Sequence, residues 1–191
     1  MKVWSNVICL VLLIIFSKVE AKNYKFESYD QARNSHDYVM FESESTKLGF
    51  ITTSYDGYAK DYDVNFKRDG DVLKDIEVRI NTSSFDTDNS SRDEKMYESI
   101  LEIKKFPHMI FKSNNKVILN EGVVEISGEL RIKEVEKNIK LKLTVEKKGA
   151  SFYIKGLAAI SLKDFNVPDP SIAIASVRDR HELTFGISIN E

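Results

Sequence analysis

The sequence predicts an all-β domain of about eight antiparallel strands, closed into a barrel or stacked as a sandwich, with a single helix. Three observations carry this expectation. Apolar and polar residues alternate with period two in five separate runs. Short turn signals, rather than helix-length connections, separate the runs, which favours antiparallel neighbours. One long segment alone, from Ser90 to Lys105, has helical spacing.

The elements follow in chain order. Met1-Lys2 leads into the apolar run Val7–Phe16 and then a polar stretch ending Val19-Glu20-Ala21. A charged start, an apolar run and a small-residue end are the grammar of a secretory signal peptide, cut here after Ala21. The 10-residue run is short of the about 20 residues a helix needs to span a bilayer. Residues 1–21 are therefore expected to be removed, with no stable membrane anchor, leaving a periplasmic or secreted domain of residues 22–191. Cys9 is the only cysteine and leaves with the leader. The exported chain then has no thiol for catalysis or metal binding and depends on its core for stability.

Weaker strand candidates lie at Thr46–Tyr55, Tyr58–Phe66 and Met109–Leu119. A bulge near Lys60-Asp61 would invert the parity of the second. The clear runs put Ile76, Val78, Ile80 and Thr82 on one face, then Val124, Ile126, Gly128, Leu130 and Ile132. Ile139, Leu141, Leu143 and Val145 repeat the pattern, followed by Phe152, Ile154, Gly156, Ala158, Ile160 and Leu162. Leu183, Phe185, Ile187 and Ile189 make the last. Asp56-Gly57, Asp69-Gly70-Asp71, Asn120-Glu121-Gly122 and Lys148-Gly149 mark turns. Between them, Ser90 to Lys105 carries Met96, Ile100 and Ile103 on one helical stripe and stops at Phe106-Pro107.

Composition narrows the function. The chain of 191 residues has 28 Lys and Arg against 30 Asp and Glu, a net charge of −2, which leaves no electrostatic footprint for nucleic acid. At 42% hydrophobic residues it is not a disordered chain. There is no Gly-x-Ser-x-Gly elbow, no His-Glu-x-x-His and no phosphate-cradling glycine loop, so the chain does not read as an enzyme. His36, His108 and His181 lack ligand-like spacing, and neither a metal nor a cofactor is implied.

Several strings resemble the YceI-like family. They are Asp88-Asn89-Ser90-Ser91-Arg92-Asp93-Glu94-Lys95-Met96, Phe106-Pro107-His108-Met109-Ile110-Phe111-Lys112-Ser113, and Gly128 to Ile132 continuing to Val135-Glu136-Lys137. Leu162-Lys163-Asp164-Phe165-Asn166-Val167 and Val177 to Ile189 complete the set, in family order. The chain departs from the family pattern at Ser45-Thr46, where a His-Ser pair is usual, and at Lys95, Glu134 and Asn138. The resemblance implies an exported, lipocalin-like barrel of eight antiparallel strands that holds a long-chain lipid or polyisoprenoid.

The inward parity of the strands then proposes the lining. It comprises Tyr62, Val64 and Phe66; Ile76, Val78 and Ile80; Val124 and Ile126; Leu141 and Leu143; Ile154 and Ala158; and Phe185 and Ile187. Gly128, Gly156 and Ala158 would leave space for the chain. The helix is expected to cover one barrel opening, with Met96 and Ile100 turned inward; the alternative is permanent packing on the outside. Arg92 and Asp93 suit a cap and anchoring ion pair, and Arg92 is also the candidate head-group contact. Lys163-Asp164 suits the ordering of a loop. A solid-cored exported module that binds a protein or glycan on its outer face satisfies the same alternation, and the sequence leaves a homodimer open.

Overall fold

The computed structural model describes residues 18–169, 171 and 175–190. The apolar run Val7–Phe16, Trp4 and Cys9 lie outside the described residues.

The expectation of an all-β antiparallel domain is met, and the strand count is corrected. The described residues form 13 strands rather than eight. They are β1 (Lys18–Lys25), β2 (Tyr38–Lys47), β3 (Ile51–Ala59), β4 (Asp61–Asp69), β5 (Val72–Asn81) and β6 (Phe85–Asp86). Then come β7 (His108–Ser113), β8 (Val117–Ile118), β9 (Gly122–Ile132), β10 (Val135–Lys148), β11 (Ser151–Ser161), β12 (Ala175–Val177) and β13 (Arg180–Ile189). Two helices accompany them, α1 (Tyr29–Arg33) and α2 (Ser90–Lys95).

The strands make one curled sheet in the order β1-β4-β5-β7-β9-β10-β11-β13-β2-β3-β6, with β12 on β2 and β8 on β5. It is a half-barrel, open between β1 and β6, rather than a closed ring of eight. The two-residue β6 passes through Thr87–Asn89 into α2, and α2 packs beside it.

Three of the additional strands have simple causes. β6, β8 and β12 are 2, 2 and 3 residues long, too short to show alternation. β2 opens Tyr-Val-Met-Phe because both of its faces are packed, and a strand covered on both faces reads as a continuous apolar run. Val39 and Phe41 join the main core. Tyr38 and Met40 join a second cluster with Tyr29, Ala32 and Tyr58. That cluster rests on α1, whose N-cap Ser28 accepts from the Gln31 amide at 3.3 Å. Tyr29 Oη donates to Asp56 at 2.5 Å.

No parity inversion occurs at Lys60-Asp61, since Tyr62, Val64 and Phe66 are all buried. The irregularity lies in β5. Glu77 pairs Asn65 while Lys74 pairs Lys67, so Asp75 and Ile76 together face Phe66. Asp75 takes a left-handed φ of 52° there, and the bulge lets Leu73 and Ile76, three apart, both join the core.

The helix is also shorter than expected. Asn89 caps α2, its side chain accepting from the Arg92 amide at 3.0 Å. From Met96 to Ile100 the turn widens to a π turn closed by the Leu101 amide on Met96 O, at 2.8 Å. Glu102 then takes a φ of 49°, which ends the helical path well before Lys105.

Candidate functional site

The inward face of the sheet encloses two connected apolar chambers. The first, about 120 Å³, is walled by β4, β5, β7, β9, β10, β11 and β13, with Thr184 as its one hydroxyl among the described lining residues. Val64 and Phe66 of β4 line it, with Ile76, Val78 and Ile80 of β5 and Ile126 of β9. Leu141 and Leu143 of β10, Ile154 and Ala158 of β11, and Phe185 and Ile187 of β13 complete the sequence-proposed set. Tyr62 and Val124 do not line it. Tyr62 is fully buried and stacked on Tyr24 at 4.6 Å, and Val124 packs half-buried against the core.

The role expected of two glycines is corrected. Gly156 and Gly128 do not leave space for a ligand, because aromatic rings occupy it. A Cβ on Gly156 would lie 2.0 Å from Phe185 Cε1, and one on Gly128 would lie 2.3 Å from Phe111 Cζ. The rings lie against the bare backbone of the neighbouring strand, which holds them back on the wall. Space in the lumen is therefore made one step away, by rings that do not project into it.

The second chamber, about 200 Å³, lies under α2. Phe85, Met109 and Leu183 line both chambers, so they form the waist between them. Met96 and Ile100 of the helical stripe line the second chamber. Its polar groups come from Arg92, Lys95, Ser45, Tyr55 and His181, with no acidic residue among the lining.

Arg92 and Asp93 point to different tasks. Asp93 is buried and accepts from Thr87, at 2.7 Å from Oγ1 and 3.2 Å from the amide. It ties the first turn of α2 to the strand before it. Arg92 makes no ion pair with it among the described residues. Its guanidinium lies over the Tyr55 ring, 4.0 Å from the centroid, a cation–π contact at the chamber wall.

His181 occupies the same chamber from β13. It is 6% exposed, and its Nε2 has no partner among the described residues. Burial holds its pKa below the ordinary histidine value, against a smaller upward pull from Asp179. Asp179 in turn accepts from Ser161 Oγ at 2.6 Å and from the Lys163 amide at 3.1 Å, so Lys163-Asp164 begins a short ordered turn. His36 stacks on Tyr153 and His108 opens β7, so the three histidines sit apart.

Phe85, Met109, Phe111 and Leu183 are among the lining residues that sequence reasoning missed. The last three share the parity of their strands and were open to the same argument. Phe85 stands alone between Ser84 and Asp86, and no periodicity marks it.

Residues 31–189 match the YceI-like domain family. Protein YceI of Salmonella newport is 28% identical over 168 residues, 82% of each chain. Among solved structures, BcnA of Burkholderia cenocepacia superposes with a TM-score of 0.66 at 20% identity, covering 81% of this chain and 96% of that one. A polyisoprenoid binding domain from Saccharophagus degradans, implicated in plant cell wall breakdown, gives 0.61 at 11% identity over 81% and 97%. The YceI protein of Campylobacter jejuni gives 0.60 at 22% identity over 71% and 84%.

Proposed function

This chain belongs to the YceI-like domain family, and on that premise we propose that it binds a long-chain lipid of isoprenoid or fatty type, threaded through both chambers, and shields it from water. One observation carries the reading: an interior of apolar side chains that remains hollow, with its few polar groups gathered in the chamber under α2. Each buried methylene contributes about 0.8 kcal/mol, so a chain needs no charged contact to be held tightly. The relative from Saccharophagus degradans, a polyisoprenoid binding domain, supports the same ligand class here. In this reading Arg92 contacts the head of the ligand, and Met96 and Ile100 meet the chain under the helix. The protein stores, carries or senses its ligand without transforming it.

Export completes the proposal. Cleavage after Ala21 falls inside β1 and leaves Lys22–Lys25 paired with Asp61–Val64 of β4, so part of the edge strand survives processing. The mature domain of residues 22–191 then works in the periplasm or outside the cell.

Extraction of the purified protein with organic solvent, followed by mass spectrometry, tests the reading. A co-purified long-chain lipid is expected. Repeated empty extracts, together with no uptake of hydrophobic fluorophores, would instead favour a module that binds a protein or glycan on its outer face.

A further inference from the structure

We propose that His181 reads the head of the bound chain, through a hydrogen bond from its ring to a neutral hydroxyl or carbonyl oxygen in the second chamber. The inference rests on the lipid-binding reading above and adds to it the chemistry of the ligand's polar end.

A buried polar atom is normally paired, and an orphan asks for an explanation. His181 lies on the inward parity of β13 with Leu183 and Phe185, where an aliphatic residue would continue the pattern. Instead the wall carries an imidazole, its ring centroid 6.4 Å from that of Phe41. Its Nε2 is buried without a partner among the described residues, yet the side chain borders a chamber of about 200 Å³. Ser43, on the inward parity of β2 between Phe41 and Ser45, has an unpartnered buried Oγ as well. Tyr62 Oη and His108 Nδ1 are buried without a partner among the described residues too, but of these four residues His181 alone lines either chamber.

The geometry favours a neutral oxygen over an anion at this position. Phe41, Ile160, Leu162 and Leu183 line the chamber with His181, and none brings charge. The cations of the chamber, Arg92 and Lys95, come from α2, and Arg92 already lies over the Tyr55 ring. A full negative charge buried beside His181 would lose its hydration against an apolar wall. A hydroxyl or carbonyl needs one bond, and a neutral imidazole nitrogen can donate or accept it.

The test uses three ligands that share one branched chain: phytol, phytane and phytyl monophosphate, each competed against a hydrophobic fluorophore. The unmodified protein should bind phytol about tenfold more tightly than phytane, the worth of one buried hydrogen bond. His181→Phe should abolish that ratio. In the unmodified protein, the ¹⁵N resonance of His181 Nε2 should move with phytol and stay with phytane, which keeps the test valid if the variant folds poorly. An unchanged ratio in a folded His181→Phe protein, or equal resonances with both ligands, would overturn the assignment while leaving chain binding in place. So would tightest binding of the monophosphate, lost in Arg92→Leu and kept in His181→Phe. If none of the three ligands binds, the lipid reading itself fails and this one with it.

Discussion

Alanine at Gly156 and alanine at Gly128 should have opposite consequences, although both glycines seat an aromatic ring. At Gly156 the three atoms nearest the new Cβ all belong to the Phe185 ring, at 2.0, 2.2 and 2.8 Å. To regain ordinary contact at 3.4 Å the ring edge must retreat by about 1.4 Å. The first chamber lies beside it, so the ring can turn into empty space at little cost in stability, under about 1 kcal/mol, or about 2–4 °C in Tm for a chain of this size. That movement takes lumen from the ligand. Displacing one or two methylenes from contact costs about 0.8–1.6 kcal/mol, a loss of about four- to fifteenfold in affinity. At Gly128 the Cβ also meets the Lys112 carbonyl oxygen at 2.5 Å, which is backbone and has no rotamer to change. There the strands themselves must part, at about 2 kcal/mol or about 4–8 °C in Tm. Thermal melts and ligand titrations of the two variants separate the cases. Gly156→Ala should lose affinity and keep its melting temperature to within a few degrees, and Gly128→Ala the reverse. Equal losses of stability in both, with ligand affinity untouched, would show that the rings do not shape the lumen.

Ala158→Trp should fill the first chamber and block chain uptake in a protein that keeps its β circular dichroism; normal uptake by the folded variant would remove the chamber from the proposed site. Asp93→Ala should cost about 2 kcal/mol in a urea melt, because the Thr87 amide and hydroxyl lose their acceptor in a buried place; a loss under about 0.5 kcal/mol would mean that water replaces the carboxylate. Burial lowers the His181 pKa in the folded state, so the unfolded chain takes up its proton first, near pH 6.5. The stability this histidine confers is therefore present above about pH 6.5 and lost as the pH falls through that value and below. The gap between the unmodified protein and His181→Phe should change between about pH 7.5 and 5.5, either side of the ordinary histidine value, and a constant gap would count against a buried neutral ring. Mature protein recovered from the exported compartment should begin at Lys22, and recovery of Met1 on a membrane-bound form would overturn the processing site.

Alternation is a local property, because successive side chains on a strand point to opposite faces whatever lies beyond them. For that reason much of the lining was legible in the sequence: the pleat alone assigns Val64, Val78, Leu141, Ile154 and Ile187 to the interior. The start of the helix at Ser90 was legible on the same ground, since a helix start is written within a few residues; that Asn89 caps it was not read from the sequence, which gave the cap to Arg92 and Asp93. Tyr62 and Val124 have the right parity and still miss the chamber, because parity gives a face and not a position along the barrel axis.

What the amino-acid sequence determined by itself was therefore the class of fold, the face each strand turns inward and the apolar character of the interior. Tertiary structure decided the rest: the open edge at β6, the rings laid over Gly128 and Gly156, the waist at Phe85, Met109 and Leu183, and the histidine whose ring nitrogen meets no partner among the described residues. Each of these depends on what a distant segment places opposite. Phe185 can rest on Gly156 only because β13 returns to pair with β11 in that register. Nothing within either strand specifies that meeting; it is set when the whole sheet curls and its inward faces compete for the same limited volume.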